Sequence, residues 1–307
     1  MTVHSLSDFV ETIPSLAGYQ PDGLTLSLLG ADTGRHISTS VIRWQDRADS
    51  PTLTRVLRQG VTSHKAAHVI AAIWRAAAED DVDATLTHVR DLAKTCALDV
   101  TTLHVTDDAV RLIDQDGAIL ATTPRDPALA SVAAAVDDIA ENREALRARI
   151  EAGPHALAPA PMPSVEDDIL LGVWNAHILA DEPEPVQEAD DLTVAALAEI
   201  TRRVGLRDAI LARLVPLNAE DDENALSVER ICAAKSHMTE LAHRLADVPA
   251  AANLLGMLAT VAWHIGDGAT QQIAAARALR IDPEHNLARL MALMGRAGVP
   301  GRAVLPS

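Results

Sequence analysis

A chain of 307 residues that is 48% hydrophobic is long enough to bury one large core or two medium ones. Its formal charge of −17, with only 26 Lys and Arg residues, argues against nonspecific nucleic-acid binding and against docking to anionic membranes, both of which use basic surfaces. Cys96 and Cys232 are too few and too far apart for a disulfide framework or a zinc module, and with 2% aromatics the cores must be filled by Ala, Leu, Val and Ile.

No basic start followed by an apolar core opens the chain. The longest mainly apolar run, 251–263, is shorter than the roughly 20 residues of a spanning helix. The expectation is a folded cytoplasmic protein without a membrane segment.

In chain order, Ser5 to Leu16 reads as a short helix, with Ser5 and Asp8 in capping-box spacing and Phe9, Ile13 and Leu16 along one side. After the turn at Gly18–Pro21, Leu24–Leu29 alternates as a half-buried strand. Gly30–Gly34 is a loop, and His36–Trp44 returns as the second strand of a hairpin. Asp49-Ser50-Pro51 opens a helix to about Gln59, where Gly60 is expected to end it. His68–Trp74 is apolar without clear periodicity, and a buried strand there would complete an alternating pattern. Asp83–Ala97 is an amphipathic helix with Leu86, Val89, Leu92 and Ala93 inward. Val100–Val105 and Ala109–Ile113 bracket Asp107-Asp108 as a hairpin.

Pro127–Glu151 reads as helix. The repeated prolines of residues 153–163 read as a stiff linker between a mixed-sheet α/β layer domain, 1–152, and an all-helical domain, 164–307. In the latter, Ser164 and Asp167 suggest a capping box before a helix that buries Ile169, Leu170, Val173, Trp174, His177 and Ile178. Helices at about Leu192–Val204 and Ser227–Leu245 are set off by acidic loops.

The clearest stretch is Leu254–Met294. Leu254, Leu258, Val261 and Ile265 follow helical spacing, as do Leu287, Leu290, Met291 and Met294. Between them Gly266-Asp267-Gly268 offers a positive-φ glycine and a capping carboxylate. A middle helix with Ala269, Ile273, Ala276 and Leu279 inward stops at Asp282-Pro283, where proline suits the first turn of a new helix. Ala275 and Ala278 before Asp282-Pro283 are similar to the closing half of a tetratricopeptide repeat. Gln271 stands where that pattern has a small residue, and no period near 34 residues recurs upstream. The tail is read as a tetratricopeptide-like helix array.

The stretch Leu16-Ala17-Gly18-Tyr19-Gln20-Pro21-Asp22-Gly23-Leu24 resembles the opening of the mostly actinobacterial proteins catalogued as domain of unknown function 4192, and residues 262–269, 278–279, 282–283 and 287–290 resemble their closing motif. Asn142–Leu146 and Arg207-Asp208-Ala209 resemble two further segments of that family, so the likeness covers nearly the whole chain. Gly23 stands where serine is usual, and Ala121-Thr122-Thr123-Pro124 replaces a cysteine-containing, proline-rich segment. The resemblance implies a strand at His68–Trp74 and assigns no activity.

Catalytic signatures are missing. His64 and His68, four apart, could share a helix face, but not if His68 begins a strand, and no glutamate completes a zinc motif. Paired aspartates such as Asp190-Asp191 suit helix starts, and Gly30–Gly34 lacks the phosphate-loop lysine. No catalytic residue, metal ligand or cofactor is assigned, and whether the protein is an enzyme stays open. The resemblance marks three constellations for binding, each with a plainer structural role: Gly18, Tyr19 and Pro21 as a turn, Arg207 and Asp208 as an ion pair, and Trp263, His264, Gly266, Asp267 and Gly268 as helix packing and turn chemistry. The favoured reading is a protein-interaction or scaffold module. The alternative is a small-molecule-binding protein, or an enzyme of unassigned reaction, with its site at the carboxyl ends of the strands in the α/β domain; the ligand is unknown.

Overall fold

Strand β3 (Ala66–Trp74) runs through the middle of a six-stranded sheet in the computed structural model. The structure describes residues 9–10, 13–14, 21, 23–30, 36–42, 44, 50–74, 79–125, 140, 142–180, 183–215 and 226–297. Two compact units divide at Ala134/Ala135.

In the first unit, β1 (Leu24–Gly30) pairs antiparallel with β2 (His36–Ile42) and with β3. Helix α1 (Ser50–His64) leads into β3, and α2 (Glu79–Thr95) carries the chain to β4 (Asp99–Val105), which lies parallel to β3. β5 (Ala109–Ile113) and β6 (Ile119–Pro124) follow antiparallel, giving the order β2-β1-β3-β4-β5-β6. The mixed sheet and the strand at 68–74 agree with expectation.

The apolar run in β3 is explained by two cores, because alternate residues of a strand point to opposite faces. Val69, Ala71 and Ile73 join Leu24, Leu26 and Leu28 with Leu53 and Leu57 of α1 and Val82, Leu86, Val89 and Ala93 of α2. Ile70, Ala72 and Trp74 join Leu103, Val105 and Val110 with Phe9, Val10 and Ile13. Those last three are what the structure describes of the expected Ser5–Leu16 helix, whose other residues, Pro14 apart, lie outside the described ones.

Gly60 does not end α1. The helix continues to His64, and the left-handed residue that stops it is Lys65, at φ 53°. Gly60 instead permits close approach, since a Cβ there would stand 2.5 Å from Leu28 Cδ1. β6 was not expected at all.

The second unit begins before the prolines. Helix α3 (Arg143–Ile150), capped by Asn142 Oδ1 accepting from Ala145 N, packs against later helices; the rest of the expected 127–151 helix lies outside the described residues, apart from Ala140, Asn142 and Glu151. Residues 153–163 are tied down. Gly153 N donates to His243 O at 2.8 Å, Leu157 N to Arg244 O and Ala246 N to Leu157 O. Arg202 and Arg203 donate to the carbonyls of Pro159 and Met162, while Glu199 accepts from Met162 N. The prolines remove donors but leave carbonyls, and two guanidinium groups take those up.

Helix α4 (Asp167–Trp174) has Glu166 at its N-cap with no side-chain cap, so Ser164 does not open it, and Asp167 pairs instead with Arg203. Ile169 is exposed, while Leu170, Trp174 and Ile178 are buried. A π-helical turn, Asn175–Leu179, and a short 3₁₀ turn, Val186–Glu188, precede α5 (Asp191–Arg202), α6 (Val204–Leu214) and α7 (Val228–Arg244). The tail forms α8 (Pro249–His264), α9 (Gly268–Ile281) and α10 (Asn286–Arg296), each packed on the other two.

Arg277 of α9 is fully buried. It donates to Ile150 O at the end of α3, and to Ala242 O and Leu245 O, each at 2.7 Å, at the end of α7; it also pairs with Asp247 at 2.9 Å. Ala242 O also takes the cap amide of Leu245 at 3.3 Å, and all three carbonyls lie in or just past a last helical turn, so one cation neutralises two helix C-termini. Replacing Arg277 by Met keeps the volume and strands the carbonyls, and should lower unfolding free energy by about 3–5 kcal/mol in urea titration. Arg280→Ala, at an exposed position paired with Glu151, should change it by under about 1 kcal/mol.

Candidate functional site

The turn between α8 and α9 is built by three residues the sequence singles out. Gly266 takes φ +85°, and Asp267 N then reaches Ala262 O at 2.8 Å. Asp267 Oδ1 accepts from Thr270 N at 3.0 Å as the α9 cap, and its other oxygen accepts from Lys235 Nζ of α7 at 3.1 Å. Both partners of this ion pair are nearly sealed from solvent, with 11% and 4% of their side-chain surface exposed. Gly268 opens α9, His264 is buried, and Trp263 is half-buried beside the turn.

Gln271 has a place that the repeat-like pattern does not foresee. It is buried, and its Nε2 donates to Met291 O at 3.0 Å, fixing α9 to α10. His285, not Pro283, begins the last helix: its Nδ1 accepts from Ala288 N and its Nε2 meets Asn253 Oδ1 at 2.9 Å. Gly256 makes room for it, since a Cβ there would lie 2.7 Å from His285 Cε1. Arg207 and Asp208 form an ion pair on α6 at 2.8 Å, more than half exposed at the carboxylate.

The three constellations lie in different elements. Pro21 is buried just before β1 in the first unit; Gly18 and Tyr19 lie outside the described residues. On the same sheet, Trp74 Nε1 donates to Thr25 Oγ1 at 3.0 Å and Ser27 Oγ meets Thr39 Oγ1 at 2.8 Å, so the buried polar groups flanking β1 are satisfied within the fold. His68, on β3, meets Thr101 Oγ1 at 2.8 Å. Beside the π-turn a groove of about 480 Å³ is lined by Asn175, Ala176, Leu179, Ala180, Arg213 and Arg230; Arg230 donates to Leu179 O at 2.7 Å, compensating the altered winding.

The surface that sequence reasoning misplaced is the outer side of α10. Leu290 was expected inward with Met291, yet Leu290 is 49% and Leu293 57% exposed, while Ala288 and Met291 are buried. At roughly 100° per residue the two leucines lie more than a third of a turn from the buried side, bordered by Arg289 and Arg296. The signal was present, because apolar residues occupy more of this helix's circumference than one packing face needs. On α9 the inner stripe is likewise rotated: Ala276 is exposed, and Arg277 is buried with Ile273, Ala274 and Ala278.

A mixed-sheet α/β unit followed by a helical unit, with no helix among the described residues long and apolar enough to cross a membrane, defines the class of protein. The family described as domain of unknown function (DUF4192) matches residues 7–302, and the chain belongs to that family. Neither a curated protein nor a solved structure matches it.

Two measurements follow from the turn and the cap. Capping alone accounts for about 1 kcal/mol, but Asp267→Ala also leaves the buried Lys235 without this carboxylate and should destabilise by about 3–5 kcal/mol. The double change Lys235→Met with Asp267→Asn retains a cap acceptor and should be milder than Asp267→Ala; a loss of only about 1 kcal/mol in Asp267→Ala would reduce Asp267 to a cap.

His285 supplies a pH test. Burial holds its imidazole below the ordinary value, opposed by the Asp282 carboxylate and reinforced by the Arg207 guanidinium. The unfolded chain therefore takes up this proton first, so stability is full above roughly pH 6.5 and falls as the pH drops below it. Protonation also converts the Nδ1 acceptor facing Ala288 N into a donor. The urea midpoint should fall between about pH 7 and 5, and less steeply in His285→Asn; parallel profiles would remove His285 from the linkage.

Proposed function

We propose that this protein is a cytoplasmic interaction module that receives a helix of a protein partner on the outer face of α10. The exposed Leu290–Leu293 stripe carries this reading. Stacked helices bury each face against the next, and a terminal helix with no further neighbour ordinarily presents a polar outside. α10, the last helix among the described residues, instead presents two leucines on its outer side, an apolar stripe of the kind an amphipathic partner helix packs against. The tetratricopeptide-like spacing of α8–α10 supports the same reading as an analogy of architecture. The overall charge of −17 supports a protein partner over nucleic acid.

The test places a photo-crosslinking residue at Leu293 in cells of the source organism and identifies adducts by mass spectrometry. A defined protein cross-linked from this position, lost when Leu290 is changed to Glu, is the expected result. Because Leu290 is half exposed, Leu290→Glu should leave the thermal midpoint nearly unchanged. Adducts that persist with Leu290→Glu, or none from Leu293, would overturn the proposal.

A further inference from the structure

The last three helices reverse the charge of the chain. Its formal charge is −17, yet α8, α9 and α10 carry Arg277, Arg280, Arg289 and Arg296 and no Asp or Glu within their spans. The carboxylates nearby stand in the turns, as Asp267, Asp282 and Glu284.

Two of the four arginines are engaged elsewhere. Arg277 is buried at the ends of α3 and α7, and Arg280 pairs with Glu151. The other two stand on the outer side of α10. At roughly 100° per residue, Arg289, Leu290, Leu293 and Arg296 fall within a sector of about 120°, and all four are exposed. Leu293 occupies its middle, the arginines one long edge and Leu290 the other. The two arginine positions, two turns apart, are separated by about 10.5 Å along the axis. Arg289 meets Glu284 at 2.6 Å, but both side chains are more than half exposed, so that pair is weak and exchangeable for another carboxylate. Arg296 makes no ion pair among the described residues.

This basic edge chooses among occupants. A second copy of the α10 face offers no carboxylate: packed antiparallel about a twofold axis it sets arginine edge against arginine edge, and packed parallel it sets arginines against Leu290. A nucleic-acid backbone would match the arginines but set both leucines against phosphates. A helix with an aliphatic stripe bordered on one side by Asp or Glu satisfies both edges at once.

We propose, resting on the docking role of α10 put forward above, that its partner is an acidic amphipathic helix. Aliphatic side chains of that helix cover Leu290 and Leu293, and its carboxylates, about two turns apart, pair with Arg289 and Arg296.

The probes are two synthetic helical peptides with the same leucine stripe, one flanked by glutamates and one by lysines, titrated against the full chain by fluorescence anisotropy. Long-range attraction to a chain of charge −17 favours the lysine peptide, so a glutamate preference has to come from the local face. The glutamate peptide should bind at least about tenfold more tightly at low ionic strength, an advantage that shrinks as salt is added. Arg289→Gln combined with Arg296→Gln should erase the advantage with an unchanged thermal midpoint, both positions being exposed. Leu290→Glu should abolish binding of the glutamate peptide. Equal affinities that both vanish in Leu290→Glu would overturn the acidic partner and leave the docking face standing. A glutamate preference that survives the double glutamine change would put the charge contact elsewhere and overturn it as well. No binding of either peptide would overturn the acidic partner and the docking face together.

Discussion

The helical unit depends on one guanidinium group. Two helices, α3 and α7, end within reach of α9, and each end presents carbonyls open to a further donor. Arg277 enters that space with no exposed surface and supplies the donors, while Asp247 balances its charge. A buried cation is tolerable only when its hydrogen bonds and charge are matched, so its position constrains all three helices together. Lys235 with Asp267 repeats the device on a smaller scale, fastening the α8–α9 turn to α7.

The proline-rich segment illustrates the same physics from the acceptor side. Four of the residues in 153–163 are prolines without an N–H, while every residue there keeps its carbonyl. Arg202 and Arg203 of α5, held by Glu199, donate to those carbonyls, and the chain lies along the helices instead of swinging between domains. The division into compact units falls ahead of this segment, at Ala134/Ala135.

In the sheet unit the governing constraint is that β3 is covered on both faces. α1 and α2 lie on one side, and Phe9, Val10 and Ile13 on the other. The parallel β3–β4 step requires a crossover, which α2 provides, while every other neighbouring pair is antiparallel. Burial falls off from β5 to β6, every residue of which is exposed.

Local chemistry alone determined the strands at Leu24–Leu29 and Ala109–Ile113, the helices of the tail and the Gly266-Asp267 turn, because alternation, helical spacing and capping act over a few neighbouring residues. The family resemblance placed the strand at 68–74. Tertiary structure decided the rest. Whether Gly60 stops a helix depended on how near Leu28 comes, and whether Arg277 faces water depended on two helix ends far away in sequence. The inner side of α9 could not be told from alanines that occur all around it, since a methyl group suits either environment. Leu290 and Met291 look alike as apolar letters, but a helix at the end of a stack has one packed side, and only the placement of α8 and α9 settled which of the two residues it buries.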